Sequence, residues 1–215
     1  DPDFVYFLER RGQGLFLRAS PVDVSTIIRE LLLDRMRATI LTSATLAVDG
    51  SFDYQRVRLG IRDAIEIRLE PEFDYAKQTV LYLPEEMPEP RASNFTQAAA
   101  TEIAGLLEAT RGRAFVLFTS HANLREVHRL ITDSVAFPLL VQGTAPRSVL
   151  LRKFKATPNA VLLATSSFWQ GVDVSGDTLS CVIIDKLPFA TPDDPITAAR
   201  IQAITEGGGN PFAEY

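Results

Sequence analysis

The chain has 215 residues, of which 46% are hydrophobic and 23% charged, and a formal net charge of −5. That composition fits one large or two small globular domains and argues against a globally basic nucleic-acid binder, while leaving room for a local basic groove. The single cysteine, Cys181, excludes an internal disulfide and any four-cysteine metal or iron–sulfur site within the chain; no apolar run approaches the roughly 20 residues of a membrane span.

Asp1 stands where an initiator methionine would, and the chain stops at Tyr215; both predict a piece of a longer protein, and the absence of a basic-then-apolar opening fits a cytoplasmic one. Phe4–Leu8 and Gly14–Arg18 predict a hairpin around the polar turn at residues 9–13. Ser20-Pro21-Val22-Asp23 reads as a helix start, with Val24, Ile27, Ile28, Leu31 and Leu32 as the stripe that the helix buries. Residues 38–41 predict a short strand ending in Thr42-Ser43-Ala44-Thr45-Leu46. Hydroxyls at a strand end either bond a ligand or cap the next turn of the chain. Residues 47–75 read as irregular, with a short strand at 64–69, and 79–83 as a strand before the Pro/Glu-rich stretch 84–90.

From there helices and strands alternate. Helices are predicted at 96–110, after Ser120, at 146–155 and from Asp194-Pro195 to the triple glycine at 207–209. Strands are predicted at 114–118, 138–141, 161–163 and 179–185. Strands separated by helices of this length make a parallel sheet covered on both faces. Such a sheet carries ligands outside the carboxyl ends of its strands. Here four ends converge: Thr119-Ser120, Gln142-Gly143, the long loop after residue 163, and Asp185-Lys186.

The long loop, Ala164-Thr-Ser-Ser-Phe-Trp-Gln-Gly-Val-Asp-Val-Ser-Gly-Asp177, is the densest in chemistry. Thr165, Ser166 and Ser167 can donate to phosphate oxygens, Phe168 and Trp169 can stack on a base, and Gly171 and Gly176 allow close backbone approach. The bland alternative is a polar loop with two aromatics tucked into the core. His121 and His128, seven residues apart, do not make a metal pair, Cys181 reads as a core residue, and Arg152, Lys153 and Lys155 read as a solvated helix face.

This loop, together with Val182-Ile-Ile-Asp-Lys-Leu-Pro-Phe189, resembles motif V and its extension in the DinG/XPD-like DNA helicases of superfamily 2, within them the bacterial DinG/YoaA branch. Ile40-Leu-Thr-Ser-Ala-Thr-Leu46 resembles their motif III, Phe118-Thr-Ser-His121 stands at motif IV, and Gln142-Gly143 at the next strand end. The resemblance covers essentially the whole chain. It implies an α/β fold: a RecA-like parallel sheet with helices on both faces, the second motor lobe, preceded by a hairpin–helix–strand segment of the first lobe. Residues 1–46 would then end the first lobe, 47–78 connect, and 79–215 form the second lobe. It further implies ATP and Mg²⁺ as cofactors, with single-stranded DNA and the missing N-terminal motor lobe as partners. No membrane is implied, and a monomer is expected. Thr42, Ser43, Ala44, Thr45, Gly171 and Asp173 would serve the ATP cleft and its coupling. Thr119, Ser120, Gln142, Gly143, Thr165, Ser166, Phe168 or Trp169, and Lys186 would line the DNA track.

Several parts of the family pattern are missing. The sequence has no Gly-x-x-x-x-Gly-Lys-Ser/Thr phosphate loop, no Asp-Glu-x-His box and no cluster cysteines, so an iron–sulfur cluster would need ligands from elsewhere. Motif VI would begin just after Tyr215, and Gln170 stands where many relatives carry glutamate. The expectation is a piece of an ATP-dependent helicase that does not hydrolyse ATP alone. The competing expectations are a non-catalytic α/β interaction or regulatory module and a small-molecule or nucleotide-sugar binder.

Overall fold

The computed structural model describes residues 3–174, 176–189 and 193–211. Two compact units emerge, Asp1–Val80 with Ala190–Tyr215, and Leu81–Phe189.

In the first unit, strands β1 (Phe4–Arg11) and β2 (Gly14–Pro21) pair antiparallel, with Leu8 opposite Leu17 and Arg11 opposite Gly14. The turn closes at Gly12 with φ +61°, a conformation glycine adopts without a Cβ clash. The strands outrun the expectation. Ser20 and Pro21 finish β2 instead of starting a helix, since Pro21 at the strand end needs no N–H for the ladder. Helix α1 (Ser25–Leu31) starts later, where the Asp23 carboxylate accepts the Ser25 amide and hydroxyl, each at 2.8 Å. The predicted stripe is not fully buried: Leu31 is 59% and Leu32 43% exposed. Helix α2 (Asp53–Leu59) occupies a region read as irregular. Its end, Gly60, accepts a hydrogen bond from Arg29 of α1 at 3.1 Å. The short α3 (Tyr75–Gln78) comes next.

Residues 38–41, 64–69 and 79–83 do not form strands. Their apolar and branched side chains suit a strand, but a strand exists only through a neighbour's backbone. Among the described residues none pairs with them, so Ile40, Ile65 and Val80 stand about nine-tenths exposed. Helix α7 (Pro195–Glu206) begins as read, with Asp194 accepting the Thr197 amide at 2.8 Å and proline at the first position. Arg200 of α7 donates to the Val22 carbonyl at 3.0 Å.

The second unit is the α/β lobe. It runs α4 (Phe95–Thr110), β3 (Ala114–Leu117), α5 (His121–Ile131), β4 (Leu139–Val141), α6 (Arg147–Ala156), β5 (Val161–Ala164) and β6 (Cys181–Ile184). All four strands are parallel, in the order β4-β5-β3-β6. The period-2 alternation of β3 and β5 divides the core into two layers. Ala114, Val116, Val161 and Leu163 meet α4 and α5 through Ile103, Leu107, Leu124 and Val127. Phe115, Leu117, Leu162 and Ala164 meet α6 through Leu150 and Phe154, with Phe115 edge-on to Phe154 at 4.7 Å between centroids. β3 and β5 are buried on both faces, which explains their continuous apolar runs. β6 is different: Cys181 and Ile183 face the α4/α5 layer, while Val182 and Ile184 are 54% and 44% exposed. Among its described residues the connection from β5 to β6 contains two 3₁₀ turns and no α-helix.

Candidate nucleic-acid interface at the strand ends

Strand order creates the site. From β3 the chain passes β5 to reach β4 over the α4/α5 face, and from β5 it passes β3 to reach β6 over the α6 face. Neighbouring parallel strands whose continuations leave over opposite faces form a crevice at their carboxyl ends. Thr119-Ser120 leave β3 and Thr165-Ser166 leave β5 at that crevice, with Gln142-Gly143 after β4 and Asp185-Lys186 after β6 on the same rim.

Three side chains tie the rim together. Gln142 Oε1 accepts the Thr165 backbone N–H at 2.6 Å and the Thr165 hydroxyl at 3.1 Å, joining the ends of β4 and β5. The Asp185 carboxylate accepts the Thr119 N–H at 3.0 Å and the Asn123 side-chain amide at 3.2 Å, joining β6, β3 and the first turn of α5. Burial holds the Asp185 carboxyl above its ordinary value, against the opposing pull of these hydrogen bonds and of Lys186. Ser120 caps α5, accepting the Asn123 amide at 3.2 Å. The third tie comes from α6. Arg147 Nη2 donates to the carbonyls of Gln170 and Gly171, both at 2.9 Å, and the guanidinium lies 5.5 Å from the Phe168 ring centre.

The predicted residues fall into distinct positions. Ser166, Thr119 and Gly143 are exposed on the rim, and Ser120 and Gln142 are half-buried. Thr165 is only 5% exposed and is held by Gln142. Phe168 is 3% exposed and belongs to the α6-side core, whereas Trp169 is half-buried and packs against the edge of that core. Of the two aromatics, only Trp169 therefore keeps accessible surface. Lys186 sits with its ammonium 4.8 Å from the Phe95 ring centre, at the start of α4. Gly171 and Asp173 are exposed and border an open groove of about 660 Å³ along α6, with Ser148, Leu151, Arg152 and Lys155 opposite. Thr42, Ser43, Ala44 and Thr45 are exposed in the other unit, where the Ser43 hydroxyl accepts the Thr45 amide at 3.2 Å.

The loop is ordered by alternation. Val172 and Val174 turn inward against the α6-side core, as does Leu179, while Gly171 and Asp173 turn outward. Gly171 has φ +64°, so any side chain there would be strained. Sequence reading placed Arg147 on its helix without a role and passed over Asn123 and the anchoring valines. Arg147 reaches carbonyls 23 and 24 residues away and Asn123 a carboxylate 62 residues away, beyond any local pattern. Among the described residues no three His, Cys, Asp or Glu side chains converge as a metal site, and the Cys181 thiol is pushed up by burial rather than activated. No helix among the described residues is long and apolar enough to cross a membrane.

The family described as the helicase C-terminal domain matches residues 103–215. The chain is 39% identical over 213 residues to the ATP-dependent DNA helicase YoaA of Escherichia coli (strain K12), covering 99% of this chain and 34% of that protein. It is 38% identical over 200 residues to the ATP-dependent helicase DinG of Mycobacterium tuberculosis (strain ATCC 25618 / H37Rv), covering 91% and 30%. To the protein named 3'-5' exonuclease DinG of Bacillus subtilis (strain 168) it is 33% identical over 226 residues, covering 99% and 24%. The chain thus spans about a third or less of the length of these relatives.

Proposed function

Because the chain belongs to the helicase C-terminal domain family, in its DinG-like form, we propose that it is the second motor lobe of an ATP-dependent DNA helicase together with the closing segment of the first. The observation that carries this reading is the convergence of four hydroxyl-, amide- and lysine-bearing strand ends on one rim of a parallel sheet. Exposed Thr119 and Ser166, with Trp169 beside them, suit the phosphates and bases of a single strand. The outward Gly171 and Asp173 suit one wall of an ATP cleft. ATP and Mg²⁺ would be bound mainly by residues outside this chain, since it has neither a phosphate loop nor converging acids among its described residues. One cysteine cannot supply an iron–sulfur cluster. The chain by itself is therefore expected to bind a strand weakly and not to hydrolyse ATP.

The exposed apolar segment 38–41, which the resemblance puts at the end of the first lobe, supports the need for the rest of that lobe, since it would become a strand only by pairing with further strands. A second reading comes from the relative named an exonuclease, which carries the same segment. In that reading the lobe grips a strand for another active centre and does not itself move along it.

The test is to titrate the chain with a short single strand and follow the emission of Trp169, the only tryptophan. Binding at roughly 10⁻⁴ to 10⁻⁶ M that weakens with salt, and weakens further in Lys186→Ala, is expected. A strand-independent emission at all salt concentrations would overturn the DNA track. Strand binding by the complete polypeptide with no ATP-dependent unwinding would favour the second reading.

A further inference from the structure

The geometry points to Arg147 as a positioning residue that couples the nucleotide-facing part of the loop to its strand-facing part; this rests on the motor-lobe reading above. Arg147 is the first residue of α6, a rigid helix whose Leu150 and Phe154 are buried in the core. From there a single guanidinium spans both halves of the loop. Its Nη2 holds the carbonyls of Gln170 and Gly171 at 2.9 Å each, next to exposed Asp173. Its central carbon lies 5.5 Å from the ring centre of Phe168, whose neighbours Ser166 and Trp169 carry the rim surface. The loop's inward residues are apolar and fix its depth but not its path. Two carbonyl acceptors and a ring face define one orientation of the turn at Gly171, where φ is +64° and no side chain restricts the backbone.

A shift of residues 170–173 must therefore either carry Arg147, and with it Phe168, or break both hydrogen bonds. A guanidinium bonded to two carbonyls cannot follow only one of them, so the contact holds or breaks as a unit, the property by which an element can couple two sites. In this assignment Arg147 acts through the loop, by its contacts to Gln170, Gly171 and Phe168.

The test uses the complete polypeptide that carries this chain, as wild type, Arg147→Lys and Arg147→Ala. Three quantities are read: the factor by which a saturating single strand accelerates ATP hydrolysis, the strand affinity without nucleotide, and the unfolding midpoint. The acceleration factor is expected to fall by roughly tenfold in Arg147→Ala, within the range of coupling between sites, while the strand affinity changes by less than about threefold. Arg147→Lys keeps the charge and a donor but loses the planar stack, and is expected to recover part of the factor. An Arg147→Ala enzyme with the wild-type factor would overturn the assignment. So would loss of the factor, the affinity and the midpoint together in both variants, because that pattern is a merely structural role. A wild type whose hydrolysis no strand accelerates would overturn the motor-lobe reading itself, and coupling with it; that result is distinguishable because it involves no variant.

Discussion

Replacing Gln142 by leucine probes the tie between β4 and β5 most directly. Its Oε1 is the acceptor for the Thr165 backbone N–H and hydroxyl, and Thr165 is 5% exposed. Leucine keeps the volume and removes both acceptor contacts. The hydroxyl can rotate toward another partner, but the backbone N–H is fixed by β5 and is left unpaired. A buried donor left so costs about 1–3 kcal/mol, and we take about 2 kcal/mol as the net loss. That corresponds to a roughly thirtyfold shift in the folding equilibrium. The assay is urea unfolding followed by the emission of Trp169, which lies in the unit Leu81–Phe189. The midpoint should fall at unchanged slope. Gln142→Glu is the companion, since a carboxylate accepts the same two bonds and should stay within about 0.5 kcal/mol of the parent at neutral pH. A Gln142→Leu midpoint equal to the parent's would refute the reasoning. Gln142→Glu falling as far as Gln142→Leu would refute it too, by showing that shape and not the acceptor matters there.

Burial lifts the Asp185 carboxyl above its ordinary 3.8, so the folded chain binds that proton more tightly than the unfolded one. Its favourable contribution is complete below that value and is lost as pH rises through the raised folded value. Asp185→Asn should flatten this part of the stability–pH curve, and an unaltered slope would count against the argument. Phe154→Ala removes a fully buried ring packed edge-on to Phe115, and should lower the stability of the α/β unit by about 3–5 kcal/mol in the same urea assay. At Gly112, φ is +67° and a Cβ would collide with the Asn159 carbonyl. Gly112→Ala should therefore destabilise the unit by more than about 1 kcal/mol, and a neutral result would mean that the α4–β3 turn can relax. Ser120→Ala removes the α5 cap at a cost of about 1 kcal/mol, measurable as a lowered midpoint, whereas Ser120→Asp should restore it.

The elements of the α/β lobe were legible from local pattern alone. Helices α4 to α6 and strands β3 to β6 fall within a few residues of their predicted bounds. The caps at Ser120 and Asp194 are also where the residue types put them. Each depends on local chemistry: helical spacing of apolar residues, an oxygen one step before the first turn, a run of branched side chains. The strand ends that make the rim were legible for the same reason, as was the family resemblance carried by residues 164–177.

The features that the sequence left undecided depend on partners distant in the chain. Residues 38–41, 64–69 and 79–83 carry strand-type apolar and branched side chains yet form no strand among the described residues, because a strand is completed by another backbone. Ser20 and Pro21 hold a helix-start pattern but are paired into β2 by Phe4 and Val5. The order β4-β5-β3-β6, and so the crevice between β3 and β5, depends on which strands pair and not on the pattern within any of them. Only the folded chain decides that Phe168 is core while Trp169 keeps surface, that Gln142 serves Thr165, and that Arg147 reaches the loop 23 residues ahead of it. Periodicity tells which side of an element turns inward. Which side chains meet there is set by close packing across the sheet, which brings together residues that sequence holds far apart.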